Sequence, residues 1–193
     1  MEGQETAVLA GGASRTGVPR KAADGYQQAF IEAYERYYTK LFAYVYSRVG
    51  NVELAKDLTA EVFEKAYVKG HSVREAAAYT TWLFMIAKNV VIGHYRRQKR
   101  ETNGLTRMKD SLWLSERQPD PEAGALHGEA VSNLRGHLRK LSDRDQELLA
   151  LKFEGELSYA EISCVLRLSE VNVRVAIFRA LKRLRSLMEE GGR

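Results

Sequence analysis

Apolar residues recur at three- and four-residue steps along most of this 193-residue chain, and this spacing predicts helices. The first predicted helix begins near Asp24, a possible N-cap, and ends before Gly50 and Asn51. A second helix is predicted from about 52 to 69, and a third from about 73 to 100. No stretch shows sustained period-two alternation, so the pattern favours an all-α fold.

The pattern is interrupted over 103–124, which contains Gly, Asn and two prolines and lacks a regular apolar stripe. Such a stretch is long for a connection inside a compact domain and indicates a flexible linker. We therefore predict a disordered tail at 1–24 and two small helical domains, at 25–102 and 125–190, that the linker holds apart. Within the second domain, Ser142 is expected to cap a short helix.

A helix, a tight turn and a longer helix are predicted near the end of the chain. The first helix covers 159–166, the turn covers 167–169, and Ser169 can cap the second helix, which runs to about Arg185. One side of this second helix is apolar, with Val173, Ile177, Ala180, Leu181 and Leu184. The opposite side holds Arg174, Val175, Phe178, Arg179, Lys182 and Arg185. A short helix followed by a basic one is the helix-turn-helix pattern, which predicts insertion into the DNA major groove.

The third predicted helix changes character along its length. Its first part is rich in aromatic residues, and its end carries four cations, Arg96, Arg97, Lys99 and Arg100. The helix macrodipole accounts for only one or two of these cations. Aromatic residues beside cations are typical of surfaces that stack single-stranded bases and hold their phosphates.

The second predicted helix is acidic, and Asp57 and Glu61 lie one turn apart on one face. This face could be merely solvated, could dock a basic partner, or could supply paired carboxylates for catalysis or metal binding. No His or Cys flanks the pair, the four histidines lack metal-ligand spacing, and no Ser or Cys nucleophile motif is present. We therefore expect no catalytic residue, no metal site and no cofactor.

The bulk composition adds two constraints. The net charge of +5 and the pI of about 9.3 suit a polyanionic partner. A single cysteine, Cys164, excludes an internal disulfide and suits a reducing compartment. The chain has neither an apolar run of membrane-spanning length nor the apolar core of a signal peptide, so we expect a cytoplasmic protein without membrane insertion.

Four sequence blocks occur in a familiar order. They are YYTKLFAYV at 37–45, DLTAEVF at 57–63, TWLFMIAKN with YRR at 81–97, and the segment 141–184 that contains the helix-turn-helix. In this order, the blocks resemble bacterial RNA polymerase sigma factors of the extracytoplasmic-function (ECF) group of the sigma-70 family. The resemblance implies a sigma domain 2 bundle followed by a helix-turn-helix sigma domain 4.

The resemblance also implies site residues and partners. Residues that would dock on core RNA polymerase are Asp57, Leu58, Glu61, Val62 and Phe63. Residues that would open and read the minus-10 single strand or hold its backbone are Trp82, Lys88, Asn89, Arg96, Arg97, Lys99 and Arg100. Residues that would face minus-35 duplex DNA are Arg174, Val175, Phe178, Arg179, Lys182 and Arg183. An anti-sigma factor is a further implied partner, and the family is not enzymatic.

Three departures from the family pattern affect these expectations. Arg167 stands where many relatives have Gly, and Gly93 replaces a common Asp. At Val171, Val175, Ala176 and Phe178 relatives usually carry Gly, Ser, Arg and His. The apolar replacements predict contact with thymine methyl groups more than with guanine edges.

The alternatives are a stand-alone helix-turn-helix repressor or activator, an interaction scaffold, and an enzyme that uses Asp57 and Glu61. A stand-alone regulator predicts tight duplex binding by the free protein. A sigma factor predicts specific binding only together with core polymerase.

Overall fold

The structure is a computed structural model that describes residues 20–69, 76–103 and 127–191, with side chains at 27–69, 78–100 and 131–190. Within these ranges every regular element is helical, which confirms the predicted all-α class. The α-helices are α1 (Arg20–Val49), α2 (Val52–Lys69), α3 (Ala76–Asn103), α4 (His127–Arg139), α5 (Asp143–Leu149), α6 (Tyr159–Leu166) and α7 (Glu170–Gly191). A π-helix, Ala150–Glu154, continues α5.

Helix α1 begins at Arg20, four residues before the predicted start at Asp24. The predicted tail at 1–24 is therefore wrong for its last five residues, and the rest of it lies outside the described residues. The sequence RKAA before Asp24 consists of strong helix formers, so the helix extends past the possible N-cap. The predicted linker at 103–124 also lies outside the described residues, apart from residue 103.

The boundary between α1 and α2 follows the local sequence. Gly50 has a φ of 70°, the left-handed conformation that ends helices and that glycine adopts without steric cost. The Asn51 side chain then accepts a hydrogen bond of 2.9 Å from the backbone N–H of Leu54, which caps α2. Helix α2 consequently has the predicted bounds.

The first three helices form a bundle around shared apolar faces. Helix α1 packs on α2 and α3, and α2 packs on α3. Buried side chains include Leu41 and Val45 of α1, Phe63 of α2, and Leu83 and Phe84 of α3. Aromatic residues extend this core outward, with Tyr34 and Phe63 at a ring-centroid distance of 4.6 Å.

The last four helices form a second bundle. Ser142 caps α5 as predicted, accepting a hydrogen bond of 3.2 Å from Asp145 N–H. Helix α6 starts with a capping box, in which Ser158 and Glu161 satisfy each other's backbone N–H groups. Helices α6 and α7 pack together across the turn at 167–169, as the helix-turn-helix prediction requires.

The π-helix, Ala150–Glu154, was not predicted from the sequence. Here the chain adds one residue to a helical turn, and Gly155 N–H donates to the Ala150 carbonyl at 2.9 Å. The widened turn is apolar on one side, where Ala150 and Leu151 are buried. That side faces α1, so packing against another helix stabilises an element that no local pattern favours.

The two bundles are in contact, which was not predicted from the sequence. Helix α1 packs on the π-helix, and α3 packs on α6. The buried apolar residues of both bundles form one continuous cluster. Local spacing identified both bundles correctly but carries no information on whether they associate.

The turn of the helix-turn-helix contains a strained residue. Arg167 ends α6 in the left-handed region, with φ 54° and ψ 47°. We expect Arg167→Gly to raise the free energy of unfolding by about 1 kcal/mol, because glycine adopts this conformation without the Cβ clash. Urea denaturation should show a higher midpoint at unchanged slope. Arg167→Ala retains a Cβ and should give no such gain; equal stabilisation by both substitutions would contradict the strain.

Candidate functional site

The outer face of α7 combines cations with exposed apolar side chains. Val173, Ile177 and Ala180 are buried against the rest of the bundle, which turns the opposite face to solvent. On that face Val171 is 68% and Phe178 is 69% exposed. Leu181 was expected in the buried stripe, but it is 40% exposed. The exposed face has the mixed character that was predicted for major-groove contact.

The cations of α7 differ in how they are held. Arg179 and Lys182 are exposed, and their side chains can reach a ligand. Arg174 makes hydrogen bonds of 3.2 and 2.5 Å to Glu170, and its guanidinium lies 4.8 Å from the centre of the Tyr159 ring. These contacts set the direction of the Arg174 side chain along the outer face.

Arg183, a predicted DNA contact, makes an ion pair inside the bundle. It donates two hydrogen bonds, of 2.9 and 2.6 Å, to the two carboxylate oxygens of Asp145 in α5. Asp145 is buried, whereas half of the Arg183 side chain remains exposed. The pair links α5 to α7, so Arg183 contributes to the packing of the bundle whatever else it binds.

Helix α3 presents a single solvent-facing stripe. With 3.6 residues per turn, Trp82, Asn89, Arg96 and Arg100 fall within about 40° of one another around the helix axis. The buried side chains of α3 lie on the opposite side, among them Leu83, Phe84, Ala87, Val90 and Val91. We call Trp82, Asn89, Arg96 and Arg100 the α3 stripe. The predicted contacts Lys88, Arg97 and Lys99 lie to its sides.

The aromatic end of the α3 stripe is supported by neighbouring rings. The Tyr79 ring lies 5.4 Å from the Trp82 ring and 6.0 Å from the Tyr37 ring. Thr80 donates a hydrogen bond of 2.8 Å to the Tyr37 hydroxyl, which ties α3 to α1 at this point. Trp82 is half-buried in this aromatic group, and this packing restricts its orientation.

Gly93 lies in line with the α3 stripe, between Asn89 and Arg96. A Cβ at this position would have only the Arg97 guanidinium nearby, at 3.9 Å. The site therefore has room for a side chain. The absence of a side chain leaves an uncharged gap in the stripe.

Helix α2 carries the acidic face. Asp57 is exposed, and Glu61 pairs with Lys65 and, at 3.6 Å, with Arg97 of α3. The other predicted docking residues, Leu58, Val62 and Phe63, are buried in the core and support the face from beneath. Glu53 and Glu64, which were not selected from the sequence, lie on the same face as Asp57, and their four- and seven-residue spacings are the signal that could have found them.

Among the described residues, no group of three or more His, Cys, Asp or Glu side chains could hold a metal ion. None of the helices in the described ranges combines the length and apolarity that crossing a lipid bilayer requires.

Comparison with known proteins identifies the family. The family model for sigma-70 region 2 matches residues 33–101, and the model for sigma-70 region 4 matches 133–184. The ECF RNA polymerase sigma factor SigM of Bacillus subtilis is 32% identical over 160 residues, which cover 83% of this chain and 95% of SigM. This chain belongs to the ECF sigma factors. SigW of the same organism is 29% identical, covering 86% of this sigma factor and 92% of SigW.

Two solved structures share the fold of this sigma factor. They are the sigma factor RpoE with the anti-sigma factor NepR from Bartonella quintana, and CnrH with the cytosolic domain of CnrY. Both align with a TM-score of 0.62, at 20% and 21% identity, covering 86% and 88% of this chain and 98% and 94% of theirs. The region 2 match falls on α1–α3, and the region 4 match falls on α4–α7.

Proposed function

We propose that this sigma factor binds core RNA polymerase, directs it to specific promoters and helps to open the DNA there. The observation that carries the proposal is that one chain has two different surfaces that are suited to binding nucleic acid. Helix α7 is the exposed second helix of a helix-turn-helix, and the α3 stripe combines a ring with cations. The protein acts by binding, and the chemistry of RNA synthesis belongs to the polymerase.

Helix α7 is proposed to bind the minus-35 element in the major groove. Its exposed apolar residues, Val175 and Phe178, are suited to thymine methyl groups, and Arg179 and Lys182 to phosphates. Arg174 is also proposed to contact DNA, oriented by Glu170 and Tyr159. Arg183 is assigned mainly to the ion pair with Asp145.

The α3 stripe is proposed to bind the minus-10 element as a single strand. Trp82 offers a ring face for an unpaired base, and Asn89 lies two turns further along with both donor and acceptor groups. Arg96 and Arg100 follow at the basic end of the helix, where they can bind successive phosphates. Lys88, Arg97 and Lys99 flank this path and add positive charge.

The acidic face of α2 is proposed to dock on core RNA polymerase through Asp57 and Glu61. Both are on the outside of a helix whose inner side is anchored by Leu58, Val62 and Phe63. A rigid, largely acidic face is suited to a basic partner. The family further implies control by an anti-sigma factor, and both structural neighbours were solved with an anti-sigma factor or a second protein bound.

Run-off transcription tests the proposal directly. The purified protein is combined with core RNA polymerase on genomic fragments, and the start sites are mapped. We expect defined start sites that require both the core enzyme and this protein. Tight, sequence-specific duplex binding by the free protein, with no start-site selection, would favour a stand-alone regulator instead.

Arg96→Ala should weaken promoter binding in a salt-dependent manner. Each lost phosphate contact should lower the slope of log K against log salt by about 0.7 to 0.9. The slope is measured for the holoenzyme on DNA with a single-stranded minus-10 element. Arg97→Ala is the matched comparison, because Arg97 lies beside the stripe and pairs with Glu61, so its slope should change less. Equal changes in both variants would contradict the proposed path.

A further inference from the structure

Helix α3 contains a glycine, Gly93, that its own fold does not require. Glycine is among the least favourable residues inside a helix, because it loses the most backbone freedom on folding. The backbone of Gly93 is nevertheless helical, without a positive φ. A Cβ there would meet only the Arg97 guanidinium, at 3.9 Å, which is an ordinary van der Waals contact. Neither conformation nor internal packing therefore explains the glycine.

Other glycines of the described residues provide a comparison. Gly50 has a φ of 70°, and a Cβ at Gly155 would collide with Phe84 at 2.8 Å, so both positions require glycine for structural reasons. Gly136 of α4 resembles Gly93, because nothing lies within 4 Å of its Cβ position. Gly136 lies outside both proposed nucleic-acid surfaces, however, whereas Gly93 lies on one of them. Gly136 is therefore the natural control for Gly93.

The missing side chain leaves a gap in the α3 stripe. Gly93 is rotated by only about 20° from Trp82 around the helix axis, so it is on the same solvent-facing side. Asn89, which is exposed, lies one turn before Gly93, and Arg97 lies one turn after it. The Cα atoms of Asn89 and Arg97 are about 12 Å apart along the axis. We call the gap over Gly93, between Asn89 and Arg97, the α3 notch.

The Arg97 guanidinium borders the α3 notch in a defined orientation. Its Nη1 is the atom 3.9 Å from the Cβ position of Gly93, and its Nη2 lies 3.6 Å from Glu61 Oε2 of α2. The ion pair with Glu61 restrains Arg97 from the side of α2. Half of the Arg97 side chain remains exposed, so a ligand in the α3 notch can reach its N–H donors.

We infer that one unpaired base of the minus-10 strand lies in the α3 notch, against the helix at Gly93, with its hydrogen-bond acceptors toward Arg97. The inference deepens the proposed function and rests on it, since it concerns the same strand. A flat base can approach the helix backbone this closely only where no Cβ is present. Trp82 lies about 16 Å further back along the axis, so its ring and the α3 notch bind different nucleotides.

The chemistry of the α3 notch indicates which base it favours. Arginine can only donate hydrogen bonds, and guanine offers it two adjacent acceptors, O6 and N7. Adenine has an amino donor in place of O6, so one Arg97 donor would face another donor. Arg97 is therefore assigned to a base edge and Gly93 to the space that admits the base. This assignment agrees with the small change in salt slope expected for Arg97→Ala, since slope reports phosphate contacts.

Gly93→Ala and Gly136→Ala test the α3 notch as a matched pair. Both substitutions should raise Tm, by about 2 to 4 °C for Gly93→Ala, because alanine is the better helix former. Binding is measured for the holoenzyme on promoter DNA with a single-stranded minus-10 element. We expect Gly93→Ala to weaken it about tenfold and Gly136→Ala to change it less than twofold. Equal binding by the two variants, or a lower Tm for Gly93→Ala, would overturn the α3 notch.

A scan with abasic sites identifies the base in the α3 notch. Each nucleotide of the single-stranded element is replaced in turn, and one replacement should cost the wild type about tenfold in affinity but cost Gly93→Ala little. The two changes remove the same contact, so their effects should not add. Full additivity at every position would contradict a base at Gly93.

Base substitution at the identified position tests the role of Arg97. Guanine should bind about tenfold more tightly than adenine to the wild type, and Arg97→Ala should remove this preference. If Arg97→Ala instead lowers the salt slope as much as Arg96→Ala, the α3 notch holds a phosphate and the base assignment is wrong. Absence of start-site selection by the wild-type holoenzyme would refute the proposed function, whereas normal selection with equal effects of Gly93→Ala and Gly136→Ala would refute the α3 notch alone.

Discussion

Asp57→Lys combined with Glu61→Lys should lower the affinity for core RNA polymerase by on the order of 100-fold, because like charges then face each other across the contact. Asp57 is exposed, and Glu61 lies one turn away on the same side of α2. In the variant, Glu61→Lys also faces Lys65 and Arg97 where an ion pair existed. Affinity is measured by equilibrium binding of the labelled protein to the core enzyme, with the salt concentration stated.

The matched control is Glu32→Lys combined with Glu35→Lys on α1, which changes the net charge by the same amount on exposed positions. Its affinity should fall by less than about tenfold. Thermal unfolding of both variants shows whether the loss of the Glu61 ion pairs alters the fold. Unchanged affinity of the Asp57 and Glu61 variant would remove α2 as the docking helix.

Arg183→Ala should lower the free energy of unfolding by about 2 kcal/mol, because it leaves the buried Asp145 carboxylate without its partner. This value is below that of a fully buried pair, since half of the Arg183 side chain is exposed to solvent that screens the charges. Urea denaturation measures the change.

Arg179→Ala is the companion variant, one turn away on the same helix. Arg179 is exposed, so its removal should change stability by less than about 0.5 kcal/mol while weakening minus-35 binding by the holoenzyme. The two variants thus separate a packing role from a DNA-binding role. If Arg183→Ala kept full stability and lost DNA binding instead, Arg183 would be a direct DNA contact.

Several elements could be predicted because their signals are local. The cap at Ser142, the left-handed Gly50 and the helix-turn-helix each depend on residues within a few positions of one another. The apolar and charged faces of α7 follow from helical spacing alone. The basic end of α3, with Arg96 and Arg100, could also be recognised locally, whereas the role of Trp82 came from resemblance to the family.

The structure adds contacts between residues that are distant in sequence. The Arg183 side chain was assigned to DNA by resemblance to the family, and its ion pair with Asp145, 38 positions away, has no local sequence signal. Leu58, Val62 and Phe63 were assigned to docking by the same resemblance, and their burial in the core is seen only in the tertiary structure. Leu181 has helical spacing with the buried stripe, but it is 40% exposed.

The sequence by itself determined an all-helical chain with a helix-turn-helix, a basic aromatic helix and an acidic helix, because helical periodicity and capping are encoded within a turn or two. Only the tertiary structure decided that the two bundles close on each other. That contact joins residues about a hundred positions apart, such as Tyr44 and Glu147, and needs a glycine at 155 where any side chain would collide. Complementarity of this kind depends on how two surfaces fit together, and it cannot be predicted from the periodicity of either segment alone.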